Sequence, residues 1–234
     1  MTRTQRGKRP APTFRHAFDF VGSEIDRHAS PGRSTTRLHD MRLAAVMNVL
    51  ITNDVHSVLD LGCGDGELLI RLTQHPAFER LFGIDISPVS IAQARDVLHQ
   101  VCDARETQIE LEVASFTASD GRLKGFDAAV LLETLEHIEL SNLHLVESAV
   151  FGCYRPLNVI ITTPNQEYNV LHGMRSCALR HPDHRFEWDR QTFQAWSCGV
   201  ADRNGYTASF EDIGPVHETL GASTQMAIFK RWKN

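Results

Sequence analysis

The sequence predicts an α/β domain: a doubly wound, mostly parallel seven-stranded sheet that ends in an antiparallel hairpin. Three observations carry this reading. Strand-like apolar runs alternate with helix-like stripes from Val55 to Thr163, and such alternation implies parallel pairing through right-handed crossovers. A glycine-rich turn, Gly62-Cys63-Gly64-Asp65-Gly66, falls where the first strand should give way to the first crossover helix. The last two strand-like runs have no clear helix between them, so they read as partners in a hairpin.

The elements follow in order. Leu38, Met41, Ala45, Val46, Val49 and Leu50 recur three or four apart and make one helical stripe. Val55–Leu61 is a buried strand, and Gly66–Gln74 the helix after the glycine turn. Arg80–Asp85 is the second strand; Pro88–Gln100 is a helix with Ser87 as N-cap and Pro88 at its first position. Gln108–Val113 alternates as a third strand would, and Phe126–Leu132 and Asn158–Thr163 are the fourth and fifth. A helix lies between those two, near Asn142–Phe151. Asp189 caps a helix running to about Asp202, and Tyr206–Asp212 and Thr224–Trp232 form the closing pair.

Composition narrows the function. Of 234 residues, 42% are hydrophobic and 23% charged, which suits one sizeable globular domain. With 24 basic and 29 acidic side chains the net charge is −5. This argues against coating nucleic acid through bulk positive charge, yet leaves room for a local basic groove. No apolar run approaches the roughly 20 residues of a membrane-spanning helix, and the basic N-terminus lacks the apolar stretch of a secretory signal. The five cysteines are scattered without a CxxC pair, so neither a disulfide framework nor a thiolate zinc site is expected, and a cytoplasmic location is. The first sixteen residues hold five basic and no acidic side chains. Residues 1–34 are therefore expected to be a disordered basic arm, serving solubility or loose phosphate contact, ahead of a domain spanning 35–234.

The glycine turn departs from the dinucleotide fingerprint. Gly62 and Gly64 match its first two glycines, but Glu67 stands where the third should be. Asp60 precedes the turn and Asp65 lies inside it, a poor setting for a pyrophosphate. A ligand carrying an ammonium and a sulfonium fits better; the plainer reading is a tight turn without a ligand. The segment Asp60-Leu61-Gly62-Cys63-Gly64-Asp65-Gly66 resembles the DxGxGxG motif of class I S-adenosylmethionine-dependent methyltransferases, whose fold is Rossmann-like. That resemblance assigns Asp60, Gly62, Gly64 and Gly66 to the cofactor's methionyl side. It assigns Asp85 to its ribose hydroxyls, and Ser115 and Phe116 to its adenine.

Glu133-Thr134-Leu135-Glu136-His137 follows the fourth strand. If this segment is helical, Glu133, Glu136 and His137 share a face, a start on a divalent metal site. The alternative is that acidic residues simply favour the first turn of a helix. Thr162-Thr163-Pro164-Asn165-Gln166-Glu167-Tyr168-Asn169 follows the fifth strand, and His181-Pro182-Asp183-His184-Arg185-Phe186-Glu187-Trp188 comes next. Parallel neighbours would bring these loops to one edge, where His184 could add a ligand or remain a surface histidine.

The E-T-L-E-H, T-P-N-Q-E-Y-N and D-H-R-F-E-W segments together resemble the small-RNA 3′-terminal 2′-O-methyltransferases, the Hua-enhancer family. The likeness runs from about Leu38 to Trp196. It implies methyl transfer from S-adenosylmethionine to the 2′-hydroxyl at the 3′ end of a small RNA. It also implies one divalent metal on Glu133, Glu136, His137 and His184, which are thereby the catalytic residues. Two imidazoles beside two carboxylates favour manganese, with magnesium the alternative. Which residue accepts the hydroxyl proton stays open between His137 and His184. Arg42 corresponds to a family arginine near the RNA. An RNA-repair or small-RNA-loading partner protein is a further expectation, because the extra domains of plant and many bacterial relatives do not fit before Leu38.

Arg175, Arg180, Arg185 and Arg190 either bind phosphate or line a solvated loop, and Phe186 and Trp188 either stack on a base or pack in the core. Two other functions compete: an O-methyltransferase for a small-molecule hydroxyl, and a catalytically silent RNA-binding module. An oxidoreductase fits least, given Glu67 and the paired closing strands.

Overall fold

A computed structural model describes residues 36–101, 107–175 and 178–232. The expected basic arm lies outside them. Seven strands form one sheet in the order β3-β2-β1-β4-β5-β7-β6. They are β1 (Ser57–Leu61), β2 (Arg80–Asp85), β3 (Gln108–Val113), β4 (Ala128–Leu132), β5 (Asn158–Pro164), β6 (Tyr206–His217) and β7 (Gly221–Arg231). The first five pair in parallel. The closing hairpin is antiparallel, as the sequence suggests, and β7 is its inner strand, wedged between β5 and β6. This is the class I methyltransferase fold.

Helix α1 (Arg37–Thr52) starts where Thr36 accepts a hydrogen bond from the His39 amide. In α2 (Glu67–Thr73), Gly66 is the N-cap at φ 88° rather than the first helical residue. Ser87 caps α3 (Pro88–Val101) by accepting from the Ser90 amide. Asp189 caps α5 (Arg190–Asn204), accepting from the Thr192 amide at 2.7 Å. The segment between β4 and β5 differs from expectation. A single α-helical turn, α4 (Leu143–Val146), continues as a π-helix over Glu147–Tyr154 and stops at Arg155, which is left-handed at φ 51°.

The central strands β1, β4 and β5 read as largely apolar runs because both faces of the sheet are covered there. Val58 faces Leu43, Leu69 and Leu81 on one side, while Leu59 and Leu61 join Phe151, Phe193 and Phe229 on the other. Each fully buried leucine of this kind contributes about 2 kcal/mol. No helix among the described residues is long and apolar enough to cross a membrane.

The chain runs from β1 outward to β3 and then returns to place β4 on the other side of β1. A crevice therefore opens beyond the carboxyl ends of β1 and β4, the usual ligand position in such sheets. Gly62–Gly66 follows β1 there and Glu133–His137 follows β4.

Candidate active site

The glycine turn is stitched to the second strand. Gly62 and Cys63 both donate to the Ile84 carbonyl, at 2.8 and 2.9 Å. Gly62 lies at φ 84°, and a Cβ there would meet Thr134 Cγ2 at 2.4 Å, so only glycine lets the turn and the post-β4 loop touch. Gly64, at φ 53°, has nothing within 4 Å of the same position. It borders open space, as a residue under a ligand would.

Two carboxylates flank this turn. Asp85 Oδ2 accepts from the Gly64 amide at 3.0 Å and Oδ1 from the Ser87 amide at 2.8 Å. Its orientation is thereby fixed, and each oxygen keeps a second lone pair. Asp60 is buried, and its Oδ2 has no hydrogen-bond partner. Burial, and then the charge of Asp85, push its carboxyl up to about 7. An unpaired buried acid beside open space is matched by a positively charged ligand. Burial lifts the Cys63 thiol far above its ordinary range, so it is no nucleophile.

The adenine side is only partly as expected. Ser115 is spent on a local turn with Thr117, Oγ to Oγ1 2.7 Å. Phe116 is buried in the hydrophobic core and is not free to meet a planar ring. Ile86, next to Asp85 and 72% exposed, offers the apolar surface instead. Sequence reading passed over it because one isoleucine after a strand carries no pattern.

The second half of the site follows β4. The segment is not α-helical: Glu133 is left-handed at φ 51°, and only Leu135–His137 forms a 3₁₀ turn. The shared helical face considered above therefore does not exist. The loops converge all the same. Arg185 donates its amide to the Glu136 carbonyl at 2.7 Å, tying the D-H-R-F-E-W loop to the E-T-L-E-H turn. Gln166 donates to the Trp188 carbonyl at 3.0 Å, tying in the T-P-N-Q-E-Y-N loop.

One ligating atom each from Glu136, His137 and His184 lies within 4.8 Å of the others. The His137 and His184 rings stand 4.9 Å apart. Glu133 falls outside that group, and its Oε2 pairs with Arg42 at 2.7 Å. Glu136 is fully buried, with Oε2 accepting from the Thr163 hydroxyl at 3.0 Å. Oε1 of Glu133 and Oε1 of Glu136 are both buried without a partner. Burial, then the Glu133 charge, raises the Glu136 carboxyl well above the carboxylate range. Burial also raises Glu133, against the pull of Arg42. Burial, then neighbouring His184, lowers His137, so that ring is neutral near pH 7. Two orphaned carboxyl oxygens beside two imidazoles fit a divalent cation in donor type.

The arginines divide. Arg180 donates to Asn169 Oδ1 and to the carbonyls of Ser223 and Asn165 at 2.5, 2.8 and 2.6 Å, so it is a structural clamp. Arg190 is held by Glu167 and the Thr219 carbonyl. Arg185 is half-exposed against Glu139, and Arg175 is exposed. Phe186 is buried, with its ring 4.4 Å from Trp188, which packs on the core: the packing alternative holds for both. Glu187, buried behind His184 with Nδ1 to Oε1 2.6 Å, was missed; its place three residues after that histidine is the available signal.

A family described as a methyltransferase domain matches residues 59–156, from β1 through the π-helical segment. A solved methyltransferase domain of a bacterial Hen1 protein, CtHen1-C, superposes with a TM-score of 0.76. It is 37% identical, over 84% of this chain and 100% of that one. The chain belongs to the Hen1 methyltransferase family. The small RNA methyltransferase HEN1 superposes with a TM-score of 0.79 at 28% identity, over 87% of this chain and 27% of that one. The small RNA 2′-O-methyltransferase of Xenopus tropicalis is 32% identical over 203 residues, 83% of this chain and 55% of that protein. The chain thus spans about half the length of the curated vertebrate Hen1 relatives it matches.

Proposed function

We propose that this chain transfers the methyl group of S-adenosylmethionine to the 2′-hydroxyl of the 3′-terminal nucleotide of a small RNA, with a divalent ion held by Glu136, His137 and His184 and completed by Glu133. The observation that carries this is the convergence of Glu136, His137 and His184 within 4.8 Å of one another, the first two on a turn whose Thr134 touches the glycine loop. Likeness to small RNA 2′-O-methyltransferases supports the acceptor class.

S-Adenosylmethionine, when bound, supplies an electrophilic methyl on a sulfonium. The Asp85 carboxylate, oriented by the Gly64 amide, would accept from the ribose hydroxyls of that cofactor, and the exposed Ile86 would offer its adenine an apolar face. Asp60 sets a buried acid against its positive end. Gly64 keeps the floor of the pocket clear of side chains.

A divalent ion held by these residues would supply the charge that lowers the pKa of a vicinal diol. Glu133 and Glu136 provide two formal negative charges for it. His137, lowered by partial desolvation and by neighbouring His184, keeps a lone pair for ligation or for the hydroxyl proton. A ribose inside an RNA chain lacks a free 3′-hydroxyl, so recognition of the diol selects the terminus. Of the four arginines near His184, the exposed Arg175 and Arg185 are the ones that would meet phosphates.

The test compares transfer of labelled methyl to an RNA oligonucleotide with a free or a periodate-oxidised 3′ end. Label should enter only the free end, vanish with chelator and return with Mn(II). Equal labelling of both ends would overturn the terminal assignment.

A further inference from the structure

The carboxylate of Glu187 lies behind the metal cluster and enters none of the chemistry above. It is fully buried, and three donors converge on it. Oε1 accepts from His184 Nδ1 at 2.6 Å and from the Arg180 amide at 2.6 Å; Oε2 accepts from Asn169 Nδ2 at 2.6 Å.

The direction of these bonds is fixed from outside. An arginine Nε only donates, so the atom of Asn169 that it meets at 2.5 Å must be the carbonyl oxygen. The asparagine NH₂ therefore faces Glu187. A backbone amide likewise only donates. Both oxygens of Glu187 thus accept from groups that can only donate, and the Arg180 Nε lies 3.9 Å from Oε2, an arrangement that favours the carboxylate over the acid. His184 Nδ1, at 2.6 Å from that carboxylate, must then carry a hydrogen. Arg180 is itself anchored through the carbonyls of Ser223 and Asn165, so the arrangement hangs on β7 and the end of β5.

We propose that Glu187 is a positioning residue: its buried carboxylate holds His184 as the Nδ1–H tautomer and leaves Nε2 as the nitrogen with a free lone pair. The inference rests on the proposed function only in naming a divalent ion as what that lone pair serves. Carboxylates behind ligating histidines commonly act so, fixing both tautomer and ring angle. A glutamine at 187 cannot replace it. One amide would set its NH₂ against either Asn169 or the His184–Arg180 pair. Against His184, it would favour the Nε2–H tautomer, which has no lone pair at that nitrogen.

The experiment compares wild type with Glu187→Gln. In ¹⁵N-histidine spectra of the metal-free protein at alkaline pH, wild-type His184 should show a hydrogen on Nδ1 alone, and the variant should lose that single tautomer. Mn(II) affinity, read from the paramagnetic resonance of free ion, should fall by about 10- to 100-fold. Affinity for S-adenosylhomocysteine should stay within about twofold, because the Asp60–Asp85 pocket is untouched; its loss in parallel would make Glu187 a general structural residue and overturn the proposal. A hydrogen on Nε2 in wild type overturns it too, whether or not the variant folds. So does an unchanged tautomer or unchanged Mn(II) affinity in the variant. If wild type itself takes up no Mn(II), the metal reading falls, and the tautomer measurement alone still judges the hold of Glu187 on His184.

Discussion

Gly62 and Thr134 approach so closely that one added methyl at residue 62 would sit 2.4 Å from the threonine Cγ2. The two candidate pockets are joined at this contact, glycine turn on one side and Glu136–His137 on the other. Gly62→Ala adds backbone strain at φ 84° to that clash. S-Adenosylhomocysteine and Mn(II) should both bind at least about tenfold more weakly, since about 1.4 kcal/mol lost in placing each loop is tenfold. Paired calorimetric titrations would check this, and loss of one ligand alone would mean that the pockets are independent.

Glu136→Ala and His184→Ala should abolish turnover while leaving S-adenosylhomocysteine binding intact, because neither side chain borders the glycine turn. Calorimetry with the cofactor product is the measure. In wild type, Mn(II) at about 100 times its dissociation constant should stabilise the fold by about 2.7 kcal/mol. That shift should disappear in both variants.

Asp60 gives the metal-free, cofactor-free protein a pH signature. Its folded carboxyl titrates near 7 against 3.8 for an ordinary aspartate. The unfolded chain therefore ionises first, and this residue's contribution is fully present below about pH 4 and is lost as pH rises through 7. A shift of that size corresponds to about 4 kcal/mol. Buried Glu133 and Glu136 act in the same direction. Asp60→Asn should flatten the decline between pH 4.5 and 8 in urea unfolding, and an identical decline in both proteins would remove Asp60 as a cause.

Arg42→Met should destabilise the metal-free protein by about 3 kcal/mol, because it leaves the Glu133 carboxylate buried and unpaired. The double variant Arg42→Met, Glu133→Gln should recover most of that loss. Urea midpoints of the four proteins form the cycle that measures the pair.

The sheet was legible because strands covered on both faces are mostly apolar, as in Ala128–Leu132, and because glycines favour the left-handed turn after β1. Residue types able to ligate a cation were legible too, and Glu136, His137 and His184 do come within 4.8 Å of one another. Local conformation was not. Nothing in the identity of Glu133 announces φ 51°; contacts with β5, where its amide meets Thr162, impose it. The π-helical register over Glu147–Tyr154 has no residue signature either. The burial of Phe116 in the core was not legible, because an aromatic residue after a strand suits a ligand and a core equally. Arg180 and Arg190 resembled phosphate binders because their acceptors, at Ser223 and Thr219, arrive some thirty to forty residues later.

That late arrival matters for how the molecule is made. Arg42 is braced by Thr224, Asn165 by the Leu220 and Ala222 carbonyls, and the Trp188 carbonyl by Gln225. A nascent chain that has emerged only as far as residue 220 already owns every proposed ligand and cofactor contact, yet has no β7 to hold them in register. The candidate site is thus left without these braces on the ribosome until β7, the last strand of the described fold, has slotted between its neighbours.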